Sequence, residues 1–203
     1  MKIGVVDYGM GNLHSVSKAL ASTGARVTVS DSKAVLRKSD MLVLPGVGSF
    51  GAAVVTLAKK RLDGLVGQWI DDERPFLGIC LGLQLLFKRS EESPKEPGLG
   101  VFDGGVVKFR SKRLTVPHMG WNTAVTKQNE AFGIAPSDYF YFVHSYFPEP
   151  EDKKIVFTRT DYGGDFCSAV ASKKLVATQY HPEKSGAVGL RFLKNVVTTM
   201  AAA

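Results

Sequence analysis

Cysteine is scarce in this chain of 203 residues: Cys80 and Cys167 are the two, which gives no disulfide framework. Histidine is nearly as scarce, and His14, His118, His144 and His181 fall with the cysteines into no metal-ligand spacing. No apolar run approaches the roughly 18 to 20 residues of a membrane span. Internal repeats and domain linkers are missing as well. Lys and Arg number 26 against 19 Asp and Glu, a net charge of +7, but they stand singly or in pairs without interleaved aromatics, which argues against a nucleic-acid partner. The N-terminal MKIGVVDYG enters a strand at once and leaves no room for a signal or transit peptide, so a cytoplasmic protein with no membrane partner is expected. With 44% hydrophobic and 22% charged residues the composition is that of a globular chain. The length predicts a single domain over 1–203 with a substantial core.

Against that plain background one stretch stands out. Pro75 to Phe87, PFLGICLGLQLLF, reads as a buried strand running into a sharp turn that carries Cys80. Gly78 and Gly82 flank the cysteine as G-x-C-x-G, a spacing that lets the backbone form a strained strand-to-helix elbow and project the side chain. A helix over Leu81 to Phe87 would aim its N-terminal N–H groups and dipole at the sulfur and favour the thiolate. A lone cysteine in an apolar run is ordinarily an inert packing residue, as Cys167 in FCSAVAS is read here. The second signal lies far downstream in YHPEK, Tyr180 to Lys184. In an extended segment His181 and Glu183 face the same way, and Pro182 stiffens their spacing. A carboxylate there holds the tautomer of an imidazole whose other nitrogen faces the sulfur, which is the logic of nucleophile, base and orienter in covalent catalysis.

In chain order, Lys2 to Tyr8 predicts the first strand, a helix from about Leu13 ends at Gly24, and Ala25 to Ser30 predicts the second strand. Gly9, Gly11 and Asp31 invite a dinucleotide-binding reading, but His14 stands where the third glycine belongs, and its bulk would spoil helix-to-strand packing. Asp40 to Leu44 is the third strand, ending in the loop Pro45-Gly46-Val47-Gly48, whose small residues can present N–H groups. Ligands bind beyond the carboxyl ends of strands in an open parallel sheet, and this loop and the Cys80 elbow follow strands expected to be neighbours. Acyl transfer needs two donors aimed at the oxyanion: the N–H of Leu81, and that of Val47 or its neighbour. A helical stretch over about Gly51 to Asp72 links the two strands. After Phe87 comes a polar loop, KRSEESPKEPG, carrying Glu91 and Glu92. From Leu99 the pattern turns to short strands in VFDGGVVKF, MGWNTAVT, YFYFVHSYF, KIVFTRT, FCSAVAS and KLVATQY, and a helix over about Val188 to Thr199 precedes a frayed end at Ala201 to Ala203. The fold class is therefore α/β: a mostly parallel central sheet flanked by helices, with additional antiparallel strands in the C-terminal half.

Taken together, G-I-C-L-G at 78–82, P-G-V-G at 45–48 and H-P-E at 181–183 resemble the class I, triad-type glutamine amidotransferases. The order of nucleophile, His and acid, with the last two on one segment, differs from that of the α/β-hydrolases. DYGMGNLHS at 7–15, PHMGWN at 117–122, YFVHSY at 141–146 and HPEKSG at 181–186 narrow the resemblance to the glutaminase subunits of imidazole glycerol phosphate synthase, over essentially the whole chain. Departures are small, such as Leu83 where that family often has Met. The resemblance implies a flavodoxin-like amidotransferase fold, L-glutamine as substrate, no cofactor and no metal. It implies Cys80, His181 and Glu183 as the catalytic triad, Val47 and Leu81 as oxyanion donors, and Gly48, Gln84, Glu92, Ser145 and Tyr146 as substrate-binding residues. It further implies a (β/α)8-barrel cyclase partner that consumes the released ammonia and meets Asn12, His118, Met119, Trp121, Asn122, Tyr141 and Lys184. Read without the resemblance, Trp121 and Tyr141 are core residues of strands, Lys184 and Glu92 are surface charges, and His118 and His144 are structural histidines. Two rivals stand beside this expectation. The glutaminase of pyridoxal phosphate synthase would share the triad but should lack PHMGWN; a non-catalytic interaction module of the same fold is opposed by the intact Cys, His and Glu set.

Overall fold

The protein is described by a computed structural model over residues 1–110, 114–126 and 131–202. Its first half alternates: β1 (Lys2–Val6), α1 (Leu13–Ala21), β2 (Arg26–Ser30), α2 (Lys33–Leu36), β3 (Met41–Gly46), α3 (Phe50–Lys59), α4 (Leu62–Asp71), β4 (Phe76–Cys80) and α5 (Leu81–Gln84). Strands dominate thereafter: β5 (Phe87–Ser90), β6 (Phe102–Lys108), β7 (His118–Thr123), β8 (Val125–Thr126), β9 (Tyr139–His144), β10 (Tyr146–Pro150), β11 (Val156–Asp161), β12 (Asp165–Ser172) and β13 (Leu175–Thr178), before α6 (Gly186–Ala202).

One sheet runs β2-β1-β3-β4-β13-β12-β11-β8. Every pairing from β2 to β13 is parallel, and those from β13 to β8 are antiparallel. Every residue of β3, β4 and β13 is buried, because central parallel strands are covered on both faces and so read as unbroken apolar runs. Val16 and Leu20 of α1 and Phe192 and Val196 of α6 pack on one face, while Phe50 and Leu57 of α3, Leu65 and Trp69 of α4 and Leu81 of α5 pack on the other. Two smaller sheets, β10-β6-β5 and β7-β9, pack beside it, β10 against β12 and β7 against β11.

Five boundaries depart from those expected of the sequence. The helical stretch after β3 is two helices, because Arg61 takes a left-handed φ of 56° and redirects the chain so that Leu57 and Leu65 both reach the sheet. The helix expected over Leu81 to Phe87 is a single turn, since Phe87–Ser90 is drawn instead into pairing with β6. Strand three runs on through Pro45 and Gly46. YFYFVHSYF is two strands broken at Ser145, one pairing with β7 and the other with β6. Helix α6 continues to Ala202, and Ala203 lies outside the described residues. Among the described residues no helix is long and apolar enough to cross a membrane.

Candidate active site

The site forms where β3 and β4 end side by side, with Gly46 opposite Cys80. Cys80 has φ 54° and ψ −107°, a backbone conformation that a residue with a Cβ rarely adopts and that only surrounding packing can hold. The elbow's glycines do a different task from the one expected. Neither Gly78 nor Gly82 has positive φ; a Cβ on Gly82 would stand 1.9 Å from the Leu44 carbonyl oxygen, so glycine there lets α5 press onto β3 while Cys80 itself bears the strain. The one-turn α5 also weakens the expected dipole at the sulfur, which grows with aligned peptide units.

His181 is brought over Cys80 by β13, the parallel neighbour of β4. Its backbone is tied to β9, the His181 N–H donating to the Tyr141 carbonyl at 2.9 Å. The segment after it is not extended: Pro182–Lys184 is a 3-10 turn with Pro182 at its start, and the turn curls Glu183 back under the imidazole. His181 Nδ1 donates to Glu183 Oε1 at 2.8 Å, and both side chains are buried. Because a carboxylate only accepts, the Nδ1 proton is fixed. Burial pulls the His181 pKa down, but the charge of Cys80 and the bond to Glu183 outweigh it and carry the pKa up to about 10. His181 Nε2 is buried without a protein hydrogen-bond acceptor other than the Cys80 side chain it faces, and that proximity to Cys80 is what most raises the imidazole.

A cavity of about 260 Å³ opens on this pair, lined by Cys80, His181, Val47, Leu81, Gly48, Gln84, Glu92, Ser145 and Tyr146, together with Pro117, Val143 and His144. All the expected oxyanion and substrate-binding residues are thus gathered around the sulfur, and Glu183 stands behind His181. Glu92 is no free surface charge: its Oε2 accepts from the Phe50 N–H at 2.7 Å and caps α3, whose own N-cap Ser49 makes no side-chain bond. Cys167 is a core thiol whose pKa burial pushes up to about 12. Among the described residues no three His, Cys, Asp or Glu side chains gather where a metal ion would be held.

Sequence reasoning passed over one residue, Gln179, a polar side chain at the end of the apolar run LVAT. It is fully buried; its Nε2 lies 3.7 Å from Cys80 Sγ and its Oε1 accepts from Gln84 Nε2 at 3.1 Å. The only local signal was that polarity at an apolar strand's end.

The β7–β9 ribbon divides the expected interface residues. His118, Gly120 and Asn122 alternate with Met119 and Trp121, and the antiparallel register sets His118 opposite His144 and Trp121 opposite Tyr141. Met119 and Trp121 are 62% and 57% exposed, so the core assignment of Trp121 does not hold. Trp121 meets Tyr141 edge to face, and Lys184 Nζ lies 5.7 Å over the Tyr141 ring. His118 is 3% exposed and faces the other way, stacked on Tyr162 and Phe142. Its Nδ1 donates to His144 Nε2 at 3.2 Å, its Nε2 accepts from Asn122 at 3.3 Å, and His144 Nδ1 donates to the Tyr146 carbonyl at 2.8 Å. His118 and Asn122 therefore do not present themselves on the outer face with Trp121. Asn12 is exposed apart from that ribbon, at the N-cap of α1.

Residues 4–200 match the family model described as "Glutamine amidotransferase class-I". The relative named "Imidazole glycerol phosphate synthase subunit HisH" in Thermosynechococcus vestitus is 49% identical, over 96% of this chain and 95% of its own. Proteins of the same name in Rhodopirellula baltica (44%, covering 97% of each chain) and Aquifex aeolicus (46%, covering 96% and 95%) are similar to a like degree. Among solved structures, PurLQS from Thermotoga maritima superposes with a TM-score of 0.76 at 18% identity, over 98% of each chain. A structure titled as a glutamine amidotransferase gives 0.73 at 21%, over 96% and 98%. At such identities the likeness of structures speaks for the fold alone.

Proposed function

The chain belongs to the class I glutamine amidotransferases, and from that premise we propose that it is the glutaminase subunit of an imidazole glycerol phosphate synthase, acting in histidine biosynthesis. It hydrolyses L-glutamine and hands the ammonia to a (β/α)8-barrel cyclase, which makes imidazole glycerol phosphate and aminoimidazole carboxamide ribotide. The carrying observation is Cys80, held on a strained elbow, facing a buried His181 whose Nδ1 is bonded to Glu183 at 2.8 Å.

The Cys80 thiolate attacks the carboxamide carbon of glutamine, and the carbonyl oxygen becomes an oxyanion. The N–H of Leu81 and that of Val47 or its neighbour stabilise it; removing one such donor typically costs about a hundred- to a thousandfold in rate. His181, protonated on Nε2, gives that proton to the departing nitrogen as the C–N bond breaks, leaving ammonia and a γ-glutamyl thioester. The now neutral imidazole takes a proton from water, the hydroxide adds to the thioester, and the C–S bond breaks to return thiolate and imidazolium with release of glutamate. Glu183 orients His181 throughout. Gly48, Gln84, Glu92, Ser145 and Tyr146 hold the amino and carboxylate ends of glutamine, a zwitterion that needs acceptors at one end and donors at the other.

Ammonia released into bulk water would be protonated to an unreactive ion, so it passes to the partner through a protected channel. The outer face of β7–β9, with Met119, Trp121, Tyr141 and Lys184, is the apolar surface that suits such docking, and Asn12 contributes from α1. One sheet fed by strands from both halves supports a single amidotransferase domain over 1–203, working in the cytoplasm. The test is glutamate release by the purified chain, alone and then with a cyclase barrel and its nucleotide ligand. A low basal rate that rises by orders of magnitude only in the full mixture is expected. Hydrolysis indifferent to the cyclase moves the chain to another amidotransferase; no hydrolysis in any mixture favours an interaction module.

A further inference from the structure

Two carboxamides, Gln84 and Gln179, lie buried between Cys80 and the backbone of β10, and their orientations are not free. Tyr146 O, a backbone carbonyl, only accepts, so the Gln84 group 2.9 Å away is its nitrogen. That same nitrogen lies 3.1 Å from Gln179, which must therefore offer its oxygen there. The remaining end of Gln179, 3.7 Å from Cys80 Sγ, is then its N–H2 group. Polarity thus propagates from one carbonyl to the nucleophile. The anchor is reinforced: Tyr146 O also accepts from His144 Nδ1, and the Gln179 backbone N–H donates to the Ser168 carbonyl at 2.8 Å.

We propose that Gln179 is a positioning residue of this site: its N–H holds Cys80 Sγ, and its oxygen locks Gln84 with nitrogen inward, so that the Gln84 oxygen is what the substrate's α-ammonium meets. The inference rests on the glutaminase reading and deepens it in two ways. A donor on the sulfur favours the thiolate where the single turn of α5 supplies little dipole. An inverted Gln84 amide would set N–H donors against an ammonium, so the lock selects for substrates that carry an α-amino group.

The test uses the full chain with its cyclase partner and two readouts. One is the pH dependence of Cys80 alkylation by iodoacetamide, for which Cys167 is a silent thiol, being buried and acid-weakened. The ionisable groups near that sulfur, His181 with Glu183, Tyr8, and Glu92, His144 and Tyr146 of the cavity lining, stay in place. The other is kcat and KM for glutamine and for glutaramate, the same amide without the α-amino group. Gln179→Met, close in shape but without hydrogen bonds, is expected to move the alkylation profile to higher pH and to cut the preference for glutamine over glutaramate about tenfold or more, the worth of a bond to a charged group. Gln179→Glu keeps the shape and the acceptor for Gln84 but loses the N–H. It should move the alkylation profile and spare the preference, and it carries the test if the Met variant does not fold. An unmoved alkylation profile in either folded variant, or equal losses on both substrates in Gln179→Met, overturns the proposal. A wild-type chain that hydrolyses no glutamine sinks the functional reading instead.

Discussion

Cys80 combines two features that a packing cysteine has no need of, a left-handed backbone and an imidazole facing its sulfur. Cys80→Ala is expected to abolish glutamate release while leaving cyclase binding intact, checked by a coupled glutamate assay beside a binding titration. Residual hydrolysis above about a thousandth of the wild-type rate would remove Cys80 from its role. Tyr8 makes a second, opposite prediction. Its hydroxyl is buried beside Gly46 with no hydrogen-bond partner, and burial drives its pKa well above the usual tyrosine range. An unsatisfied buried hydroxyl is a liability, so Tyr8→Phe should raise stability by roughly 1 kcal/mol, seen as a higher midpoint in thermal unfolding. A lower midpoint would mean that the hydroxyl has a partner in solution. At this scale the sequence was informative wherever a residue type is rare in its setting, as with a cysteine between glycines or a histidine beside Pro-Glu. It was silent on Gln179, because nothing local says what a buried amide will touch.

At the scale of elements, the elbow works because α5 lies directly on β3. Gly82→Ala would place a methyl group into the Leu44 carbonyl, and backbone cannot yield as a side-chain tip can. The expected loss is about 3 kcal/mol or failure to fold, read from chemical denaturation; a loss under about 1 kcal/mol would show that α5 can ride outward. The β7–β9 ribbon predicts an acid sensitivity. Burial lowers the His118 pKa to about 4, and that of His144 to about 3, from the 6.5 of an unfolded histidine. Below pH 6.5 the unfolded chain takes up protons that the folded chain refuses, so stability is full above that pH and falls as pH drops toward 4, by at most ~1.4 kcal/mol per pH unit for each histidine. His181, raised to about 10, has the opposite sign: its contribution is present below pH 6.5 and is lost as pH rises through 10. A thermal midpoint that stays level between pH 6.5 and 4 would contradict the paired neutral histidines. The alternation of this ribbon was legible in HMGWNT. Which of its faces is buried was not, since that depends on Tyr162 and Phe166 arriving from β11–β12.

For the whole molecule, the outer face of β7–β9 is joined to the chemistry by backbone: the Tyr141 carbonyl accepts from His181 N–H, and the Tyr141 N–H donates to Ser185 Oγ at 3.0 Å. Docking on that face therefore bears on the strand that holds the base. Trp121→Ala should weaken cyclase association about thirtyfold, as an aromatic anchor at an interface does, while leaving the basal glutaminase rate within about twofold. Titration calorimetry with the isolated barrel decides it, and unchanged affinity would move the docking surface elsewhere. The sequence alone determined what is local: the punctuated nucleophile turn, the joint His and acid, the alternation of strands and helices, and a composition without metal or membrane signals. Tertiary structure decided which ends come together. Gln84 and Cys80 meet Gln179 across 95 and 99 residues of chain. Local propensity fixes only dihedral angles and faces; the neighbour of a strand, and so the polarity of a buried amide, is chosen when the whole sheet closes and every buried donor must find its acceptor.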